Sequence, residues 1–152
     1  MGLSLLELVV TMAIVAVLAA AALPMSEMAV KRRQEIELRE ALRTIRSAID
    51  AWKDDYDRAV AEKKIITSID ETGYPESLEQ LVEGNDWGKL YPYKRKYLRR
   101  IPVDPFDNYE LGWGLRSYND PPDSMVFSGE DVYDVYSQSD GIALDGSLYS
   151  SW

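Results

Sequence analysis

The 152-residue chain contains no cysteine and no histidine. Without cysteine there is no disulfide, no zinc–thiolate cluster and no thiol nucleophile. Without histidine the usual general base and the commonest metal ligand are missing, so a Ser-His-Asp triad cannot be assembled. Positive charge is absent from one end, because every Lys and Arg lies after residue 30. With 17 Lys and Arg against 26 Asp and Glu, the formal charge is −9. A surface of that sign opposes phosphate backbones and argues against a nucleic-acid partner. The basic clusters that do occur, Lys31 to Arg33 and Lys94 to Arg100, are short and read as solvated surface or subunit contact. Repeats and low-complexity tracts are also missing, and beyond the apolar N-terminus there is room for one small domain.

What the chain does have is a long apolar run from Gly2 to Leu23. Between Leu3 and Leu23 the polar side chains are Ser4, Glu7 and Thr11. At about 1.5 Å rise per residue, a helix over this run is long enough for a hydrocarbon core of roughly 30 Å, so a single transmembrane helix is expected. Glu7 is the feature that a plain anchor does not explain. A carboxylate within a spanning segment is costly unless it finds a partner, which makes it a functional candidate.

Gly2-Leu3-Ser4-Leu5-Leu6-Glu7 followed by an apolar run resembles the processing site of type IV pilins and pseudopilins. The resemblance implies that a prepilin peptidase cuts between Gly2 and Leu3 and that the new terminus on Leu3 is methylated. It further implies that Glu7 pairs with the terminal amine of a neighbouring subunit. Two opposite charges in a low-dielectric medium attract strongly, while either alone is costly to bury. Here Leu3 stands where the family usually has Phe or Met, and only Met1 precedes Gly2, so residues 1–2 read as the remnant of a longer leader. The first cations follow the apolar run, which by the positive-inside rule alone would put the C-terminal part in the cytoplasm, opposite to the family's topology.

Pro24 is the first strong break, and a kink or local melting of the helix is expected there. Family helices commonly carry a proline at this distance from the cut and are often unwound around it in their filaments. An ordinary kink at the membrane exit is the alternative. Beyond it, Leu38, Ala41, Leu42, Ile45, Ala48, Ile49, Trp52 and Tyr56 recur at spacings of three and four, one face of an amphipathic helix. Arg39, Glu40, Arg43, Arg46, Asp50, Lys53 and Asp54 form its polar face. A rod from Leu3 to Trp52 would be roughly 75 Å long.

Residues 57–72 read either as more helix or, at Ile65 to Ile69, as a short strand; relative to pseudopilins they look inserted before the turn Gly73-Tyr74-Pro75. Pro75 to Glu83 reads as a second helix, with proline in the first turn and Gly84 as its stop. Tyr97-Leu98-Arg99-Arg100-Ile101-Pro102-Val103-Asp104-Pro105-Phe106-Asp107-Asn108 resembles the major pseudopilin signature Tyr-Leu-x-x-Leu-Pro-x-Asp-Pro-Trp-Gly-Asn, with Phe106 in place of Trp and Asp107 in place of Gly. Strands are expected at Tyr109 to Tyr118, Ser124 to Phe127 and Val132 to Ser137, separated by proline- and glycine-rich turns.

The ending, Ser137-Gln138-Ser139-Asp140-Gly141 and then Asp145-Gly146-Ser147 with Trp152, resembles the major pseudopilin loop that wraps calcium. The resemblance makes Asp140 and Asp145 the carboxylate ligands, with oxygens from Ser137, Ser139 or Ser147. Calcium takes six to eight oxygens, and Ser147 stands where the family offers another Asp. Two ordinary Asp-Gly turns are the other reading.

The expected fold is therefore α+β. A long N-terminal helix, half transmembrane and half amphipathic, packs on a small C-terminal antiparallel sheet, with residues 3–24 as the assembly helix and 25–152 as a periplasmic domain. By resemblance this is a non-catalytic, major pseudopilin-like filament subunit of a type II secretion system in the bacterial inner membrane. Its partners would be further copies of itself, minor pseudopilins, the prepilin peptidase, and an assembly platform with its ATPase. A type IV pilus subunit is the alternative. A membrane-anchored enzyme is a more distant one, and its chemistry would have to rest on carboxylates.

Overall fold

The computed structural model describes residues 4–68 and 71–152, with the side chains of residues 21–25 left aside. The fold is α+β: one very long N-terminal helix carries a small two-stranded antiparallel sheet. Helix α1 runs from Leu5–Ala61 over 57 residues, about 85 Å at the standard rise. Ser4 caps it, its Oγ accepting from the Glu7 backbone N–H at 3.3 Å. The helix continues through Pro24 without interruption, so the local melting expected there is not found. Proline deletes one backbone hydrogen bond, and intact turns on both sides carry the helix across that gap.

Among the described residues no helix is long and apolar enough to cross a membrane; the expected span, residues 3–24, runs past the described side chains at both ends. The side chains that are described are exposed all round, among them Leu5 at 83%, Leu6 at 74% and Val17 at 70%.

The second half of α1 has one buried stripe. Leu38, Leu42, Ile45, Ile49 and Trp52 face Leu81, Leu98, Trp113, Val132, Val135 and Tyr149 in a single core. The 3–4 spacing read from the sequence is the stripe that is covered. Helix α1 also runs past Tyr56 to Ala61, and Ile65 to Ser68 form no strand; Ile69 lies outside the described residues.

Helix α2, Leu78–Glu83, is shorter than expected. Pro75 and Glu76 precede Ser77, whose extended backbone makes it the cap, and Gly84 ends the helix at φ 79, where a side chain would be strained. The expected three strands reduce to two: β1, Trp113–Arg116, pairs antiparallel with β2, Asp134–Ser137, in the register Trp113↔Ser137 and Arg116↔Asp134. Gly114 lies directly under the Tyr136 ring, which occupies the space a side chain would need. Ser124 to Phe127 is not a strand. Its backbone is engaged instead by Arg116, whose Nε donates to the Ser124 carbonyl at 2.8 Å, and by the Ser124 hydroxyl, which donates to the Val126 carbonyl. Pro121 and Pro122, which have no N–H, cannot extend a ladder on the approach to it.

Candidate functional site

Gly2 and Leu3, the expected processing residues, lie outside the described residues. Glu7 is in the first turn of α1 and exposed, beside the positive end of the helix dipole. Among the described residues its carboxylate has no ion pair within its own chain. The acid therefore stands near the outer end of an apolar rod, exposed. Pro24 lies in the helix between this end and the domain.

The C-terminal loop is held on α1 by three side chains one helical stripe apart, Glu35, Arg39 and Arg46. Glu35 is buried, and its Oε1 accepts from the Leu144 N–H at 2.7 Å and the Tyr149 hydroxyl at 3.0 Å. Burial first, then that bond to Glu35, pushes the Tyr149 hydroxyl up to about 12. Arg39 lies over the Trp152 ring at 4.1 Å and reaches Asp145 Oδ2 at 3.4 Å. Arg46 donates to Asp134 Oδ1 at 2.7 Å and to the carbonyls of Val135 at 2.9 Å and Trp152 at 2.6 Å. Arg46 thus ties β2 and the last residue to the helix, a contact that its place with Arg39 on the polar face did not indicate. Both residues border the apolar stripe, where long side chains lay their stems on the core and put their heads on the element beyond.

The five residues expected to ligate calcium are spread over separate tasks. Ser137 is fully buried and donates to Asp104 Oδ2 at 2.5 Å, joining β2 to the proline-rich loop. Ser139 accepts from the Gly141 N–H. Asp140 is exposed. Asp145 Oδ1 accepts from the Ser147 hydroxyl at 2.6 Å and its N–H at 2.9 Å, while Oδ2 faces Arg39. Those contacts, the Ser147 hydroxyl first, hold the Asp145 carboxyl below its usual range. Among the described residues no three acidic side chains are grouped for a metal ion. Two of the expected ligands thus have partners of their own, Arg39 and Ser147 at Asp145 and Asp104 at Ser137.

A second polar cluster lies near the far end of α1. Asp55 is 1% exposed and accepts from Arg95 at 2.9 and 2.8 Å, from the Tyr91 hydroxyl at 2.9 Å and from the Tyr97 hydroxyl at 2.5 Å. The Trp87 indole donates to the Tyr97 oxygen at 2.6 Å. Burial first, then the bond to Asp55, raises the Tyr97 hydroxyl well above the ordinary range. This network pins the aromatic, basic loop to the helix, leaving Lys94, Lys96, Arg99 and Arg100 exposed on its outside. The signal was present in the sequence, since Asp55 sits on the apolar stripe between Trp52 and Ala59, where a buried acid requires partners.

The chain matches no protein-family model, no curated protein and no solved structure.

Proposed function

We propose that this protein is a structural subunit of a helical filament, major pseudopilin-like, stored in the bacterial inner membrane and polymerised into a periplasmic pseudopilus for type II secretion. The observation that carries the reading is the division of α1. Its first part presents apolar side chains on every side and one exposed acid near its tip, whereas its second part is covered along one stripe by an α+β domain. A helix apolar all round needs lipid or other helices as its environment. In the filament, the helices of neighbouring copies supply that environment, and Glu7 meets the amine freed on Leu3 of the next copy. Membrane storage, cleavage by a prepilin peptidase, an ATPase-driven platform and minor pseudopilins belong to the same reading. The subunit moves or supports cargo by packing and catalyses nothing.

Cross-linking of the chain with its assembly machinery tests the proposal: wild type gives a ladder of oligomers, and Glu7→Ala abolishes it while leaving the folded domain intact.

A further inference from the structure

We infer that the base of the globular domain docks on an anionic phospholipid surface through a collar formed by Lys31, Arg32 and Arg33. The inference rests on the reading of α1 as membrane-inserted and assigns a ligand to a basic cluster read from the sequence only as solvated surface or subunit contact.

Three successive helical residues project about 100° apart, so the three cations surround more than half the circumference of α1. Arg32 and Arg33 are exposed and Lys31 is half-buried. Arg33 pairs with Glu37 at 3.1 Å with both side chains largely in solvent, a contact too weak to withdraw its charge. Lys31 and Arg32 make no ion pair among the described residues. The collar lies roughly 10 Å beyond Pro24 along the helix axis. Side chains on a helix lean toward its N-terminus, here the direction of the apolar rod, so the long basic side chains reach back into the headgroup layer.

A second feature marks the same end of the domain. The loop after Pro105 comes down beside this turn of α1: Gln34 donates to the Pro105 carbonyl at 3.5 Å, and Phe106 borders the same cleft as Val30 and Lys31. That loop then exposes Tyr109 at 83% and Leu111 at 60%. Tyrosine is enriched at membrane–water interfaces, where its ring is apolar and its hydroxyl wet. Asp107, on the same loop, accepts from the backbone N–H groups of Gly112 and Leu111, which hold its carboxyl below the usual range and keep it an anion within its own loop. Glu27 borders the cleft of Lys31, and Glu35 and Asp145 border that of Arg32, where Glu35 is engaged by Leu144 and Tyr149 and Asp145 by Ser147 and Arg39; Glu110 is exposed. Asp50, Asp54, Asp55 and Asp57, farther up α1, lie roughly 25 Å or more from Arg33 along the axis, beyond the Debye length of about 8 Å at physiological salt. Each Lys or Arg near an anionic surface strengthens binding to it by about fivefold.

The test uses the whole chain reconstituted in phosphatidylcholine vesicles containing a minor fraction of phosphatidylglycerol. Protein-centred patches are excised with an amphipathic polymer, purified, and their lipids counted. Wild type is expected to carry at least about twice the bulk proportion of phosphatidylglycerol. The combined substitution Lys31→Gln, Arg32→Gln and Arg33→Gln, or high salt, returns the ratio to bulk, whereas Arg32→Lys with Arg33→Lys keeps the enrichment. Equal ratios for wild type and the triple variant overturn the collar while leaving the membrane reading in place. A chain that fails to co-float with vesicles of either composition overturns both.

Discussion

Replacing Asp55 by Asn removes one negative charge from a site where it is 1% exposed, and leaves Arg95 and two tyrosine hydroxyls arranged around a neutral amide. Breaking a buried ion pair from one side costs about 3–5 kcal/mol. The Arg95 side chain is 39% exposed, so solvent takes up part of its stranded charge, and the loss settles near the lower bound, about 3 kcal/mol. Urea unfolding of the full chain in detergent, followed by tryptophan fluorescence, reads this directly. Trp52 and Trp87 report from beside the cluster, their rings 4.7 Å apart edge to face. The midpoint is expected to fall by roughly 1 to 3 M with little change in slope. Asp55→Leu combined with Arg95→Met, which removes both charges, should recover at least half of the loss, because an apolar pair of similar volume carries no stranded charge. A loss under about 0.5 kcal/mol for Asp55→Asn would refute the view that this carboxylate anchors the loop.

Calcium at millimolar concentration is expected to leave the melting temperature of the chain unchanged, with or without a chelator, because Arg39 and Ser147 already hold Asp145. A rise of several degrees would show that the loop rearranges to build the site that resemblance suggested. For the mature protein, mass spectrometry of the N-terminus is expected to find a methylated Leu3. A start near Met25 would point to ordinary secretion instead.

The long helix and its covered stripe were legible because burial on a helix leaves a periodic trace: Leu38, Leu42, Ile45, Ile49 and Trp52 repeat at the spacing that puts them on one face. The sheet was legible only in part. Val132 to Ser137 alternates, and its last four residues are a strand, but Ser124 to Phe127 has strand-like residues whose hydrogen bonds go to Arg116 and a local hydroxyl. Local propensity carries no information about which backbone groups a distant arginine will take. The same limit applies to the polar contacts. Nothing near Glu35 in the sequence indicates Leu144 or Tyr149, more than a hundred residues on, yet those contacts close the C-terminal loop. Asp140 and Asp145 illustrate the converse. Asp145-Gly146 forms a turn whose carboxylate is bound by its own loop and by a helix arginine, while Asp140 is exposed outside any turn.

The most direct measurement compares wild type with Glu7→Ala for assembly in cells carrying the prepilin peptidase and the assembly platform, with filaments sheared, sedimented and quantified against total subunit. An unpaired acid at the tip of an apolar rod that finds its neighbour's amine predicts that polymer falls by at least about tenfold, the effect of losing roughly 1.4 kcal/mol per contact, while cleavage at Gly2 continues. Filaments of the Glu7→Ala chain in wild-type amount would contradict it.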